Sequence, residues 1–345
     1  MSTLPSNDLP SHAPFAESPT PPADVSELAG LADSADSPVS ALAGETTDIQ
    51  TVGTDVVDVE DEPATRTAPS YYLLDRTAAE AVRQEQQHWM FYEALGNHHL
   101  AAMSACPLPV GARILDVGCG DGYWLRDVLQ EWPQAIGIGV DLVAPASPTA
   151  AFIPPARAIF VAGNLVAGLP FADGAFYLVH QRMLGAALPR GLWPVALAEL
   201  ARVTAPGGWL ECMEGGPVED IPASCPALRR LQDFTDALGA QRDIELAMNA
   251  RVGDLLRATS GLDPASVHAY NLPLALGRLD GAAGQLSARA ARNWLEARRT
   301  LAPQVIARGW ADASIHADLL RQAERELSAH EVRWPIHVAY GRRTA

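Results

Sequence analysis

One short stretch constrains the fold more than any other part of the chain. Residues 114–124 read ILDVGCGDGYW, where three alternating glycines separate an apolar run from a helix-like segment. Glycine tolerates a left-handed backbone and lets a ligand approach the chain closely. A strand that ends in such a turn and continues into a helix is typical of nucleotide-binding α/β proteins. The stretch therefore predicts a binding turn for a nucleotide-like ligand.

The sequence on both sides of this turn alternates between strand-like and helix-like segments. Continuous apolar strands separated by helices imply a parallel sheet that is covered on both faces. The predicted strands are 112–117, 135–142, 158–164, 176–181, 209–214, 266–276 and 336–342. The predicted helices between the first five strands are 124–132 and 193–204. Beyond Gly216 the sequence is mostly helical.

Two acidic residues indicate the charge of the ligand. Asp116 precedes the first glycine of the turn by two residues, and Asp141 ends the next predicted strand. A carboxylate at Asp116 would repel the pyrophosphate that a GxGxxG turn holds, but it would attract an ammonium or sulfonium group. A carboxylate at Asp141 can accept hydrogen bonds from both ribose hydroxyls. The pair favours S-adenosylmethionine, which is cationic and carries no phosphate, over a nicotinamide dinucleotide.

Several motifs resemble those of the class I S-adenosylmethionine-dependent methyltransferases. The core motifs are LDVGCGDG (115–122), GVDL (139–142), GNLVAGLPFADGAFYLVH (163–180) and LARVTAPGGWLECME (200–214). More narrowly, the pattern YYLLD…E…R…QQH ahead of the core, VHQRML (179–184) and VAYGRR (338–343) resemble the LaeA-like methyltransferases, a group linked to secondary metabolism. The resemblance implies a Rossmann-like α/β fold with a doubly wound, mostly parallel seven-stranded sheet and an antiparallel last strand. It also implies a helical N-terminal lid and a C-terminal helical cap.

The resemblance further implies which residues bind the cofactor. We expect the methionine amino group at Asp116, the ribose at Asp141 and the adenine against Leu142. Asn164 stands where the family usually has an aspartate that faces the adenine amino group, so this contact keeps an acceptor oxygen but loses a charge. The other residues assigned to the cofactor site are Gly118, Gly120, Gly122, Leu165 and Gln181.

The residues that act on the methyl acceptor are harder to predict. Methyl transfer is an in-line displacement, for which proximity alone supplies ~7–11 kcal/mol, and a base is needed only if the acceptor must lose a proton. His180, after the fourth strand, and His88, on the preceding helix, are candidate catalytic bases, and a packing role stays open for both. Arg182 and Glu214 are candidate substrate-binding residues. Glu211 is expected on the opposite face from Glu214, in a structural pair.

Composition limits the partners and the location. The first 70 residues hold 13 of the 41 acidic residues and a single basic one, so the remainder of the chain is close to neutral. This balance argues against binding to a nucleic-acid backbone. The chain has no lysine and no Cys/His group with zinc spacing, so we expect neither Schiff-base chemistry nor a metal. Without a leader or a long apolar segment, we expect a cytoplasmic protein that does not enter membranes.

The composition also suggests how the chain is divided. We predict a disordered acidic tail, a helical lid, a cofactor-binding core and a helical cap that contributes the last two strands, at 1–68, 69–109, 110–216 and 217–345 respectively. The lid contains good helix formers from Ala78 to about Met103, which predict one or two helices. Its predicted apolar face is formed by Val82, Trp89, Tyr92 and Leu95.

Together these observations predict a methyltransferase that acts on oxygen or nitrogen of a small molecule, such as a specialised metabolite. One alternative is a LaeA-like regulatory protein that binds the cofactor and works through protein partners. A second alternative is a nicotinamide-dependent oxidoreductase, which Asp116 and the GxGxG spacing disfavour. The sequence leaves the identity of the acceptor and the possibility of an oligomer open.

Overall fold

The computed structural model describes residues 72–74, 77–96, 108–143, 157–278 and 281–344. The predicted tail at 1–68 lies outside the described residues, as does the part of the predicted lid at 97–107. Residues 66–345 belong to one compact unit. The boundaries proposed between lid, core and cap are divisions within this unit and stay predictions.

A seven-stranded sheet forms the centre of the molecule, with the strand order β3-β2-β1-β4-β5-β7-β6. The strands are β1 (Arg113–Val117), β2 (Ile136–Asp141), β3 (Ala158–Ala162), β4 (Phe176–Arg182), β5 (Thr204–Gly215), β6 (His268–Gly277) and β7 (Glu331–Arg342). Strands β1 to β5 pair in parallel, and β7 runs antiparallel to both of its neighbours. The predicted mostly parallel sheet with an antiparallel last strand is confirmed.

Helices cover both faces of the sheet. They are α1 (Ala78–Leu95), α2 (Tyr123–Glu131), α3 (Trp193–Val203), α4 (Pro226–Ala240), α5 (Val252–Ala258), α6 (Gly281–Thr300), α7 (Ala302–Ala307) and α8 (Ala313–Ala329). One face is packed by α2 through Trp124, Leu125 and Val128, and the other by α3 and α5. Burial on both faces explains why the parallel strands read as continuous apolar runs.

The strand order places a crevice beside the glycine turn. The chain runs outward from β1 through β2 to β3 and then returns to β4, which pairs with the other side of β1. Connections therefore leave β1 and β4 in opposite directions, and open α/β sheets bind ligands at this point, beyond the carboxyl ends of the strands. Asp116 and Arg182 lie at these ends of β1 and β4.

The structure corrects the prediction for the first helix. Helix α1, the first of the one or two predicted helices, ends at Leu95, where Gly96 adopts a left-handed conformation. Of the predicted apolar face, Val82, Trp89 and Tyr92 are exposed. The buried residues of α1 are Glu80, Arg83, Gln87, His88, Met90 and Phe91. A mainly polar face is buried because it covers the crevice and packs against α6, where the polar groups find partners.

The C-terminal part forms a second layer of core. Buried side chains of α4, α6 and α8 pack with β6, β7 and α1 around Trp294 and Trp334. This core lies beside the crevice, so the helical segment encloses the side of the crevice that faces away from the glycine turn.

Candidate functional site

A cavity of about 550 Å³ opens at the carboxyl ends of the strands. This volume lies within the range of small-molecule sites, roughly 300–1,000 Å³. One wall, which we call the glycine-turn side, is formed by Asp116, Gly118, Gly120, Asp141, Leu142, Asn164 and Leu165. The other wall, the helical side, is formed by Arg83, Gln87, Glu214, Asn293, Trp294, Arg298 and Trp334.

The glycine turn is fixed by hydrogen bonds to the second strand. Gly118 and Gly120 have φ values of +71° and +52°, which other residues rarely adopt. The amide of Gly118 donates to the carbonyl of Val140 at 2.7 Å. The amide of Gly120 donates to Oδ2 of Asp141 at 3.0 Å. Asp141 therefore holds the turn in place and also lines the cavity.

Asp116 presents a buried carboxylate to the cavity. Only 4% of the surface of Asp116 is exposed, and its Oδ2 has no hydrogen-bond partner among the described residues. Burial raises its pKa to about 7, while the charge of Arg182 acts in the opposite direction and that of Asp141 adds to the rise. A buried acceptor without a partner is costly, so this position suits a ligand that brings a cationic donor. An ammonium group fits this requirement.

Three further residues of the predicted cofactor site line the cavity. These are Leu142, Asn164 and Leu165. Oδ1 of Asn164 accepts a hydrogen bond from the amide of Val166 at 3.2 Å and so begins the short helix Leu165–Ala167. The oxygen expected to face the adenine amino group therefore already has one partner, and a carbonyl oxygen can accept a second.

Two residues of the predicted cofactor site lie behind the cavity wall rather than in it. Gly122 begins α2, and a Cβ at this position would lie 2.5 Å from the ring of Phe160, so this glycine serves internal packing. Gln181 is buried and donates to the carboxylate of Glu214. Because side chains alternate between the faces of a strand, Gln181 cannot share the orientation of its neighbour Arg182. We therefore leave Gly122 and Gln181 out of the proposed cofactor contacts.

His180 lies away from the cavity lining, in agreement with the packing role that the sequence left open for it. The residue is 1% exposed and its ring stacks on Trp124 with the centroids 3.7 Å apart. Its Nδ1 lies 3.2 Å from Oε2 of Glu211. Glu211 thus makes a structural pair, and His180 belongs to the packed layer between β4 and α2.

His88 lines the cavity, but both ring nitrogens are engaged. Nε2 lies 2.8 Å from Oδ2 of Asp127, and Nη2 of Arg182 lies 3.3 Å from Nδ1. Since a guanidinium can only donate, Nδ1 accepts and Nε2 donates its proton to Asp127. This arrangement suits a residue that positions Arg182 better than a base with a free nitrogen.

Glu214 is the carboxylate of the helical side. It is buried and accepts from the amides of Leu184 at 2.9 Å and Gly185 at 2.8 Å, besides Gln181. Burial raises its pKa to about 7 despite these three donors. A carboxylate has about four acceptor positions, so one position stays available for a group in the cavity.

The sequence prediction missed most of the helical side. Arg83 on α1 donates from Nε and Nη2 to Glu80 at 2.8 and 2.7 Å, and from Nη1 to Oδ1 of Asn293 at 2.9 Å. Trp294 and Arg298 follow Asn293 on α6. The missed signal on α1 was the spacing of its polar residues, because Glu80, Arg83, Gln87 and His88 recur at helical intervals on one face.

Among the residues that the structure describes, no group of three or more His, Cys, Asp or Glu side chains could hold a metal ion. Among the described helices, none has the length and apolar character needed to cross a membrane.

The chain is similar to known methyltransferases. Residues 86–248 match the family model described as a methyltransferase domain. The N-methyltransferase gliN of Aspergillus fumigatus is 30% identical over 239 residues, which cover 65% of this chain and 78% of gliN. The N-methyltransferase sirN of Leptosphaeria maculans is 26% identical over 279 residues, covering 80% of this chain and 96% of sirN.

A regulator of secondary metabolism is a further relative. The protein laeA of Coprinopsis cinerea is 32% identical over 146 residues, which cover 41% of this chain and 35% of the regulator. This match spans about a third of the regulator's length. The extended similarity to gliN, the methyltransferase-domain match and the partly unsatisfied carboxylate beside the glycine turn agree with one another. The chain belongs to the class I S-adenosylmethionine-dependent methyltransferases of the LaeA-like group, and S-adenosylmethionine is its cofactor.

Proposed function

We propose that this methyltransferase transfers the methyl group to oxygen or nitrogen of a small molecule of specialised metabolism. The observation that carries this proposal is the extent of the cavity. It continues from Asp116 past Glu214 to Trp294 and Trp334, which are buried beneath α1 and the C-terminal helices. This space is lined by aromatic and polar side chains, as small-molecule sites are. The names of sirN and gliN as N-methyltransferases support the nitrogen option.

On the glycine-turn side, the cofactor contacts follow from the positions of the acids. In our proposal Asp116 binds the methionine ammonium group, and Asp141 binds the ribose while holding Gly120 in place. Leu142, Leu165 and Asn164 surround the adenine, and Gly118 and Gly120 line the cavity beside the cofactor.

On the helical side, the protein's contribution is to position the acceptor and exclude water. Bound S-adenosylmethionine supplies a methyl group already activated by its sulfonium. In our proposal Glu214 accepts a hydrogen bond from the acceptor's nucleophilic N–H or O–H and can receive its proton. Arg182, which is held by His88, contacts the acceptor between Glu214 and Asp116. Proximity supplies most of the rate enhancement in such an arrangement.

The proposal is tested by incubating the protein with a metabolite extract and methyl-labelled cofactor. We expect mass spectrometry to find labelled small molecules that are absent with the variant Asp116→Asn. The variant Asp173→Asn, which changes an exposed acid of the surface, is the matched control and should retain transfer. Label found only in protein or nucleic acid would contradict a small-molecule acceptor.

The similarity to laeA supports a second candidate function, regulation through protein partners. The two candidates differ in what happens to the methyl group. A regulator of this kind would bind the cofactor with the affinity of a methyltransferase but label no small molecule in extracts from any growth stage. Cofactor binding measured in the same samples by calorimetry separates this outcome from an inactive preparation.

A further inference from the structure

Three arginines line the cavity, and they differ in how their charge is compensated. Arg83 and Arg298 are buried, and Arg182 is half-buried. Arg83 forms an ion pair with Glu80 at 2.7 Å. Arg182 lies within the field of Asp116, each favouring the charged form of the other. Arg298 has no ion pair with any carboxylate among the described residues, although its surface is only 8% exposed. A buried cation without a counter-charge is expensive.

The hydrogen bonds of Arg298 within the protein are long and few. Nη1 donates to the carbonyl of Trp294 at 3.4 Å, and Nη2 donates to Oε1 of Gln232 at 3.2 Å. Nε has no partner among the described residues. Charge-assisted N–H···O bonds are normally about 2.7–2.9 Å long. The protein itself therefore leaves much of the hydrogen-bonding capacity of this guanidinium unused.

Two other charges act on Arg298 from the elements packed against it. Asp236 on α4 attracts it through the side chain of Gln232, whose Nε2 donates to Oδ1 of Asp236 at 2.8 Å. Arg83 on α1 repels it. Burial lowers the pKa of Arg298 to about 9, and this value still leaves the side chain protonated at neutral pH. Asp236 is exposed on the surface and does not replace a direct partner.

Trp294 adds a second donor at the same place. Its ring lies 3.7 Å beneath the guanidinium carbon of Arg298. Its Nε1 is also buried and has no partner among the described residues. Both unsatisfied atoms can only donate, and both belong to residues of the cavity wall. The complement of two donors and one positive charge is a group with two acceptor oxygens and one negative charge.

From these contacts we propose that the methyl acceptor carries a carboxylate, which binds to Arg298 and Trp294 on the helical side of the cavity. This inference rests on the proposed function, because it assigns the substrate class of the same site. A carboxylate matches a guanidinium edge in geometry and in charge. A phosphate would bring more charge than the single uncompensated arginine offers. The nucleophile of the acceptor then points from this anchor toward Glu214 and the glycine turn.

The proposal is tested with matched probes of the acceptor site. Benzoate, benzamide and phenyl phosphate have the same ring, and they differ in the group offered to Arg298. Each is titrated by ligand-observed NMR into the full chain, with and without saturating S-adenosylhomocysteine. We expect benzoate to bind about tenfold more tightly than benzamide, the effect of a charge-assisted hydrogen bond.

Variants on α6 assign this preference to one residue. Arg298→Gln should reduce the preference for benzoate to less than about threefold. Arg298→Lys keeps the charge and should keep part of the preference, which also covers the case in which the glutamine variant is unstable. Arg299→Gln is the matched control, because Arg299 is the next residue on the helix and pairs with Glu296 at the surface. It should bind as the unaltered protein does.

The outcomes separate this inference from the proposed function. Benzamide binding as tightly as benzoate, or no binding of benzoate, would overturn the carboxylate assignment. Tighter binding of phenyl phosphate would overturn it as well, and so would an unchanged preference in Arg298→Gln. Failure of S-adenosylhomocysteine to bind would instead count against the cofactor site, while the preference measured without it still decides the role of Arg298.

Discussion

The two sides of the cavity are built in different ways. The glycine-turn side is formed at the ends of strands that follow one another in the chain. Its two acids, Asp116 and Asp141, therefore lie close together in sequence, both before residue 143. The helical side joins parts that are distant in sequence, as in the bond between Arg83 and Asn293, which are 210 residues apart. The first is a motif built from neighbouring segments of the chain, whereas the second depends on how this chain packs α1 against α6.

The two sides also have opposite unsatisfied polarity. The glycine-turn side presents an acceptor without a partner at Asp116, and the helical side presents donors without partners at Trp294 and Arg298. A cavity with these two ends can hold a cation at one and an anion at the other. In our proposal this difference lets one cavity distinguish the cofactor from the acceptor, and each side can be disrupted separately.

The largest expected effect is on the helical side. Arg83→Met should lower the free energy of unfolding by about 3–5 kcal/mol, because it leaves the buried carboxylate of Glu80 without its cation. Urea denaturation followed by circular dichroism measures this change. Arg289→Met is the matched control, since Arg289 pairs with Glu93 across the same two helices but at the surface. This control should cost at most about 1 kcal/mol, and equal costs for both variants would mean that burial of the Arg83 pair is unimportant.

On the glycine-turn side, Asp116→Asn should weaken binding of S-adenosylmethionine about 100-fold. The substitution keeps the shape but removes the charge that faces the cofactor ammonium, and hydrogen bonds to charged groups are worth about 1.5–3 kcal/mol. Isothermal titration calorimetry measures the affinity, with Asp173→Asn as an exposed control. Stability should change little or rise, because a buried charge is removed. An affinity within threefold of the unaltered protein would refute the role proposed for Asp116.

A smaller loss is expected at Asp141. Asp141→Ala should weaken cofactor binding between about 10-fold and 100-fold, because it removes the proposed ribose contact and releases the amide of Gly120. Asp141→Asn retains an oxygen for Gly120 and should lose less affinity than the alanine variant. If both variants lost the same affinity, the hydrogen bond to the turn would contribute nothing beyond the charge. The same calorimetric titration measures the cofactor affinity of both variants.

The difference between the two sides also explains what the sequence could reveal. The strands and most glycine-turn residues could be predicted because apolar runs, glycines and acids lie next to one another in the chain. Val82, Trp89 and Tyr92 misled the prediction for α1, because apolar residues usually mark the buried face and here polar residues are buried against the cavity and α6. His180 looked catalytic from its place after β4, but stacking on Trp124 depends on the packing of α2. The sequence around Arg298 gave no signal for its proposed role. That role depends on the absence of an acid paired with it among the described residues of the folded chain.

The smallest expected effect is a pH dependence of cofactor binding that should be confined to the glycine-turn side. Burial raises the pKa of Asp116 from 3.8 to about 7 in the free protein, so the carboxyl is mostly protonated at pH 6 and mostly ionised at pH 7.5. A cationic cofactor prefers the ionised form, and its affinity should therefore increase roughly fivefold to tenfold over this range.

The stability of the free protein should change in the opposite direction. A folded pKa above the unfolded value stabilises most at low pH, and this contribution is lost as the pH rises toward 7. Calorimetry and urea denaturation at both pH values measure the two trends. Asp116→Asn should abolish most of the affinity trend but only about half of the stability trend, because burial also raises the pKa of Glu214 to about 7. An affinity that still changed fully with pH in that variant would assign the effect on binding to Glu214.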